Sequence, residues 1–323
     1  MRDRMPPKAV WSTGNNASMA TTPADDTLVT ACVQFDVRRA DVDANIAAVE
    51  KGLSEAAQKG ARLCVLPEMW STSYSPRYSP TLLAAAATAE TKLAELSAKH
   101  GMMVVGSSLE SVEGGVYNTA RVYDRGVLLG AYRKIHLFSP HSEPRYFLAG
   151  DTPLVLDTRL GRIGVMICYD IRFPELARYY FHKGVEMLLV PAQWPEVRSQ
   201  HWRSLLRARA IENQMFVLGC NRTGHEASLK RGGDMLTFTG DGRIVDPTGE
   251  ILASGTGESS LLIAAFEPRT ARTMRRMMPV SRDQRPAVYR KLFEETFELS
   301  RAASKESSKE VQPKDAPPKD PAP

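Results

Sequence analysis

Cysteine is scarce in this chain, with four in 323 residues, at positions 32, 64, 168 and 220. No two stand in a CxxC pair, which excludes a cysteine zinc cluster, and four thiols are too few for a disulfide scaffold. Long apolar runs are missing as well. Nothing approaches the roughly 18 consecutive apolar residues of a membrane span, so no membrane partner is expected. No apolar segment follows the early bases in the way of a secretory leader, which points to a cytoplasmic protein with reduced thiols. The sequence has neither a GxGxxG run nor a phosphate loop, and no metal-ligand spacing. No cofactor and no metal is expected. An excess of one charge is lacking too. The net charge is +5; the first 27 residues are balanced and residues 301–323 add +1, leaving +4 on the body. That is too little, and too dispersed, for a nucleic-acid surface. The one dense basic patch, Arg269, Arg272, Arg275, Arg276, Arg282 and Arg285, reads as solvated surface or subunit contact.

What is present is an ordinary globular composition, 43% hydrophobic and 24% charged, able to bury a large core. Residues 1–27 are rich in Ser, Thr, Asn, Pro and Ala and are expected to be a disordered N-terminal extension. Residues 301–323 alternate Pro, Lys and acid and are expected to be a disordered tail. A single domain is expected over 28–300.

Within it one pattern occurs twice. LVTACVQF (28–35) reads as a strand. Val42, Ile46, Val49, Leu53 and Ala57 then follow at helical spacing up to Gly60. ARLCVLPE (61–68) is a strand, residues 81–100 a helix, and MMVVGSSLE a strand. A hairpin turning at Asp124-Arg125-Gly126 follows. The second half repeats the order: GRIGVMIC (161–168), a helix opening at Pro174, VEMLLVPAQ, a helix over SQHWRSLLRARAIENQ, MFVLGCN, and a hairpin turning at Asp246–Gly249. Near-continuous apolar strands imply sheets covered on both faces. Two helices per half cover one face of each sheet, so the simplest cover for the other face is the sheet of the other half. The expected fold is α/β, a four-layer αββα sandwich of two related halves, with a doubly wound single sheet as the competing arrangement.

Three chemistry-bearing residues stand directly after apolar runs, where open α/β sheets gather functional groups. They are Glu68, Lys134 and Cys168. A thiol, a carboxylate and an ammonium can make a covalent hydrolase. The thiolate attacks an acyl or nitrile carbon, the carboxylate moves the proton, and the ammonium stabilises the oxyanion. Taken singly, each has a plainer reading: a packed small side chain for Cys168, surface positions for the other two. A cysteine–histidine hydrolase also stays open, with His136 in the richest local context.

Longer segments decide between these. VLPEMWSTSY, VYNTA, YRKIHLF, GVMICYDIRFPELAR, RARAIENQMFVLGCNRTG and FTGDGRIVDPTGEILA together resemble the nitrilase superfamily of carbon–nitrogen hydrolases, in family order over about residues 28–290. The resemblance implies the αββα sandwich, a Glu–Lys–Cys triad on Glu68, Lys134 and Cys168, and a homodimer or larger homo-oligomer. It also implies a second glutamate, Glu143, seven residues before Gly150, that orients the lysine. Cys168-Tyr169-Asp170 departs from the Cys-Trp-Glu of true nitrilases and looks like the omega-amidase branch. That branch implies a small-molecule amide, a 2-oxo dicarboxylate monoamide, cleaved to the 2-oxo acid and ammonia. An N-carbamoyl amino acid or a nitrile on the same triad is the alternative. Arg172, four residues after the cysteine, could hold a substrate carboxylate or pair with Asp170 or Glu175. Tyr169, Tyr74 and Trp194 are expected in the substrate pocket, and Asp170 as a hydrogen-bond acceptor. Cys32, Cys64 and Cys220 are expected in the core. Asn221 and Arg222 could reach the same end of the sheet.

Overall fold

The computed structural model describes residues 27–75, 77–229, 233–257 and 259–310. The expected disordered ends fall largely outside these: residues 1–26 and 311–323 lie beyond the described residues.

In the first half, β1 (Leu28–Gln34), β2 (Leu63–Val65) and β3 (Met103–Val112) run parallel. The crossovers are α1 (Val42–Gln58), capped by Asp41, and α2 (Pro80–Lys99), capped by Ser79 with Pro80 in its first turn. Both caps accept a backbone N–H that the helix cannot satisfy itself. The strands β4 (Gly115–Asp124) and β5 (Val127–Arg133) complete the meander antiparallel. Their turn sits at Arg125 and Gly126, both at positive φ, as a tight hairpin requires.

The second half repeats this order. After β6 (Val155–Thr158) come β7 (Gly161–Val165), α3 (Pro174–His182), β8 (Met187–Ala192), α4 (Ser199–Asn213) and β9 (Phe216–Asn221). A short β10 (Thr223–Ala227) precedes the hairpin of β11 (Met235–Val245) and β12 (Ile251–Thr256). The last strand, β13 (Ser260–Phe266), leaves the second sheet. It pairs antiparallel with all of β1, from Leu28 opposite Phe266 to Gln34 opposite Ser260. The two sheets have the orders β13-β1-β2-β3-β4-β5 and β10-β11-β9-β8-β7-β6, with β12 beside β11. Neither β10 nor β13 has a place in the duplicated pattern read from the sequence.

Alternate residues of one strand enter different cores, which explains the continuous apolar runs. Leu63, Val65, Met103 and Val105 face inward and share a cluster with Val165, Leu189 and Val217 of the second sheet. Cys64, Val104, Ala31 and Val33 face outward against Val49 and Leu53 of α1 and Leu93 of α2. The layers are therefore helices, sheet, sheet, helices, rather than one doubly wound sheet. Cys32, Cys64 and Cys220 are fully buried.

The chain divides after Ala271 into two units. Around and beyond that point lie α5 (Thr270–Met277), α6 (Val280–Asp283) and α7 (Pro286–Glu310). The last helix runs ten residues past the boundary expected at 300. The Ala, Lys and Glu of RAASKESSKE are good helix formers without a proline; the prolines of the tail begin only at Pro313. Among the described residues, no helix is long and apolar enough to cross a membrane.

Candidate active site

Glu68, Lys134 and Cys168 each follow a strand, and the fold brings all three ends together. Leu66 and Pro67 separate Glu68 from β2, and the Glu68 N–H donates to the Ala192 carbonyl at the end of β8 (3.3 Å), across the two sheets. Lys134 continues β5. Its N–H donates to the Asn118 carbonyl, and its own carbonyl accepts from Gly150 N–H (2.8 Å). Gly150 must be glycine here, because a Cβ would collide with the Arg133 carbonyl. Cys168 opens a 3-10 turn, Cys168–Arg172, after β7, with φ +46°. Met69, Ser73 and Ser142 near the other site residues are also left-handed. Strained backbone of this kind persists where the surroundings over-determine it, and it gathers at functional sites.

At the centre stands the Lys134 ammonium, fully buried. It lies 2.8 Å from Glu68 Oε1 and 2.9 Å from the Glu143 carboxylate. The Tyr74 hydroxyl bridges the same two acids, 2.7 Å from Glu68 Oε1 and 2.9 Å from Glu143 Oε1. Its single proton serves one of them at a time. Asn118 Nδ2 donates to Glu68 Oε1 (2.9 Å). Glu68 Oε2 accepts from the Gln193 N–H (2.9 Å), and the Gln193 side chain donates to the Glu68 carbonyl (2.8 Å). Glu143 also accepts from the Phe138 N–H (3.0 Å). Each buried charge is thus paired and hydrogen-bonded, as burial demands.

These surroundings set the protonation states. Burial pushes the Cys168 thiol well above its ordinary range. The charge of Glu68 adds to this, while Lys134 opposes it. Burial alone would depress the Lys134 ammonium, but the charges of Glu143 and Glu68 outweigh it and hold it above its usual value. Tyr74 is likewise held neutral, by burial and then by the two carboxylates. Burial raises Glu143, and Lys134 acts against that rise. At rest the site therefore holds a neutral thiol beside a firmly protonated amine.

A pocket adjoins this cluster, lined among others by Tyr74, Glu143, Cys168, Gln193 and Trp194. Sequence comparison matches residues 29–276 to the family model described as carbon-nitrogen hydrolase. The chain belongs to the carbon–nitrogen hydrolase family. It is 36% identical over 261 residues to the 2-oxoglutaramate amidase of Bacillus subtilis, covering 80% of this chain and 98% of that one. It is 35% identical over 265 residues to the chloroplastic omega-amidase of Arabidopsis thaliana, covering 77% and 70%. Among solved structures it resembles a glutamate-to-glutamine mutant of the amidase from Nesterenkonia sp. AN1. In that mutant, acrylamide has undergone Michael addition at the active-site cysteine. The TM-score is 0.70 and the identity 25%, over 82% of this chain and 99% of that one.

The remaining expected residues divide by place in the hydrolase. Tyr169 and Trp194 line the pocket with Arg172. Arg172 pairs with neither Asp170 nor Glu175. Its guanidinium lies 4.7 Å from the Trp194 ring and meets His201 Nδ1 at 3.1 Å. Asp170 is occupied elsewhere. Its carboxylate accepts from Tyr132 Oη (2.8 Å), the Ile167 N–H and the His136 N–H (both 2.9 Å), and it lies 2.7 Å from His136 Nδ1. His136 therefore faces Asp170 and stacks on Phe173 (3.6 Å), outside the lining of the pocket. Asn221 and Arg222 sit behind the pocket wall. Asn221 holds both the N–H and the carbonyl of Trp194, and Arg222 reaches Gln193 Oε1.

Asn118 and Gln193 escape a reading of the sequence. Gln193 stands just after a buried strand, the signal that singles out Glu68, but an amide there carries no charge to draw attention. Asn118 lies inside VYNTA with no local sign that its amide turns inward.

Proposed function

We propose that this hydrolase cleaves the terminal amide of a 2-oxo dicarboxylate monoamide through a thioester on Cys168, releasing ammonia and the 2-oxo acid. The observation that carries the reading is the buried Lys134 ammonium held between Glu68 and Glu143, with Glu143 lining the same pocket as Cys168. The amidase relatives support amide hydrolysis as the reaction class. The acrylamide adduct of the Nesterenkonia enzyme supports a nucleophilic cysteine.

The protonation states assign the roles. A neutral thiol needs a base as it attacks. Glu68 Oε1 is engaged by Tyr74, Asn118 and Lys134, whereas Oε2 carries only the Gln193 N–H among the described residues. Oε2 therefore takes the thiol proton as Sγ bonds to the amide carbon. An amine held protonated is no base, so Lys134 donates a hydrogen bond to the developing oxyanion. Collapse breaks the C–N bond, and the proton on Glu68 passes to the leaving nitrogen, which departs as ammonia. Glu68 then deprotonates a water that attacks the thioester, and the acid leaves as the thiol is restored. Glu143 holds Lys134 in place. Arg172, without an acidic partner among the described residues, binds the substrate carboxylate, between Tyr169 and Trp194.

Ammonia release from 2-oxoglutaramate, with Cys168→Ala as blank, tests this. Turnover by the wild type alone, with an acyl adduct on Cys168 after acid quench, is the expected result. Release only from an N-carbamoyl amino acid or a nitrile would overturn the substrate. A homodimer or larger assembly is part of the proposal. The exposed Tyr289, Leu292, Phe293 and Phe297 of α7, at helical spacing, support it, and light scattering on a sizing column measures it.

A further inference from the structure

Charge is distributed unevenly around the pocket. Its two acids are already taken. Glu143 is tied to Lys134. Glu226 is tied to Arg39 at 2.9 Å and Arg222 at 3.2 Å, and accepts from the Ser73 hydroxyl. Arg39 also donates to the carbonyls of Tyr74 and Ala227. Two lining guanidiniums, Arg172 and Arg198, have no carboxylate partner among the described residues. They come from separate 3-10 turns, Cys168–Arg172 and Glu196–Arg198, yet they share one aromatic cup. Arg172 lies 4.7 Å from the Trp194 ring and 6.0 Å from that of Tyr169. Arg198 lies 5.5 Å from the Phe138 ring, which is 4.8 Å from the Tyr169 ring. Trp194 Nε1 donates to the Arg198 carbonyl (2.8 Å), closing the circle.

We infer that Arg172 and Arg198 together form a carboxylate pole of the pocket, and that this pole selects amides whose far end bears a carboxylate and no α-ammonium group. The inference rests on the proposed function and deepens it by adding Arg198 as a specificity-determining residue. Two forked donors over apolar rings can grip a carboxylate bidentately, with N–H groups left for a neighbouring 2-oxo oxygen. An α-ammonium at the same place would face two positive charges. Both nearby acids are already neutralised by other partners, so nothing would compensate it. Dicarboxylate monoamides and their 2-oxo forms are therefore favoured, and amino-acid amides such as glutamine are rejected.

The test compares kcat/KM for glutaramate, 2-oxoglutaramate, glutamine and butyramide in wild type, Arg198→Gln, Arg198→Lys and Arg172→Gln. The wild type is expected to prefer glutaramate and 2-oxoglutaramate to glutamine by at least about tenfold, the scale of one charged hydrogen bond. Arg198→Gln should lower the glutaramate-to-butyramide ratio by at least about tenfold, Arg198→Lys should restore part of it, and Arg172→Gln should lower it as well. An unchanged ratio in Arg198→Gln, or wild-type turnover of glutamine equal to that of glutaramate, would overturn the pole. In both cases butyramide turnover by the wild type leaves amide hydrolysis standing. Silence of the wild type on all four amides would instead sink the proposed function, and the pole with it.

Discussion

The two halves of the molecule share an order of elements but not a division of labour. The second parallel strand of the first half, β2, leads through Leu66 and Pro67 to Glu68. Its counterpart in the second half, β8, ends at Ala192-Gln193. The two residues meet, with Gln193 donating through its backbone to the Glu68 carboxylate and through its side chain to the Glu68 carbonyl. At the same structural address one half places an acid and the other a neutral amide. The first half also supplies Lys134 and Asn118, while the second supplies the thiol and much of the pocket wall. Duplication thus provides two strand ends facing each other, and a difference of one residue type makes one end an ionisable group, the proton carrier of the proposed mechanism, and the other its brace.

The largest break in this asymmetry comes from removing the thiol. Cys168→Ala should cut amide turnover by roughly 10⁴-fold or more with unchanged circular dichroism, and residual activity near wild type would remove Cys168 from the chemistry. The same variant serves as a spectroscopic blank. With its pKa pushed up by burial, Cys168 should contribute no thiolate absorbance near 240 nm below about pH 9; a thiolate signal at neutral pH would show a pre-ionised nucleophile. Next, Glu68→Gln makes the two strand ends alike. It should cost roughly 10²- to 10⁴-fold in kcat, the range of a lost general base, whereas Gln193→Ala, measured in parallel, should cost less. Lys134→Met addresses stability. It leaves two buried carboxylates without their cation and should lower the unfolding free energy by about 3–5 kcal/mol in urea titrations. A loss below about 1 kcal/mol would mean that the acids take up protons without penalty. The smallest effect belongs to Tyr74→Phe. It deletes one hydroxyl bridging Glu68 and Glu143 and should cost about 1 kcal/mol, read as a lower melting temperature with a modest fall in kcat.

Residues whose meaning is set by their own strand were legible in the sequence. Glu68, Lys134 and Cys168 each follow an apolar run, and the fold converts three strand ends into one place. The layered architecture was legible too, because strands apolar on both faces need two covers. What could not be read depends on partners far along the chain. Asn118 reaches Glu68 across 50 residues and Gln193 across 125. Arg172 posed a choice between an acidic neighbour and a substrate. One of the two acidic neighbours, Asp170, is taken by Tyr132 and His136 from a strand and loop more than thirty residues away. SLLIAAF carries no local sign that its partner is β1.

That last pairing bears on how the protein is made. β1 leaves the ribosome before every other strand of the sandwich, and its edge partner β13 leaves last. For most of synthesis β1 therefore presents seven residues of unpaired backbone, flanked by apolar side chains, to any strand that comes near. Nascent chains stalled after Thr256 should be far more open to protease, and to cross-pairing with neighbouring chains, than chains stalled once Phe266 has cleared the exit tunnel. The newborn enzyme spends its most vulnerable interval waiting for the last strand of its sandwich.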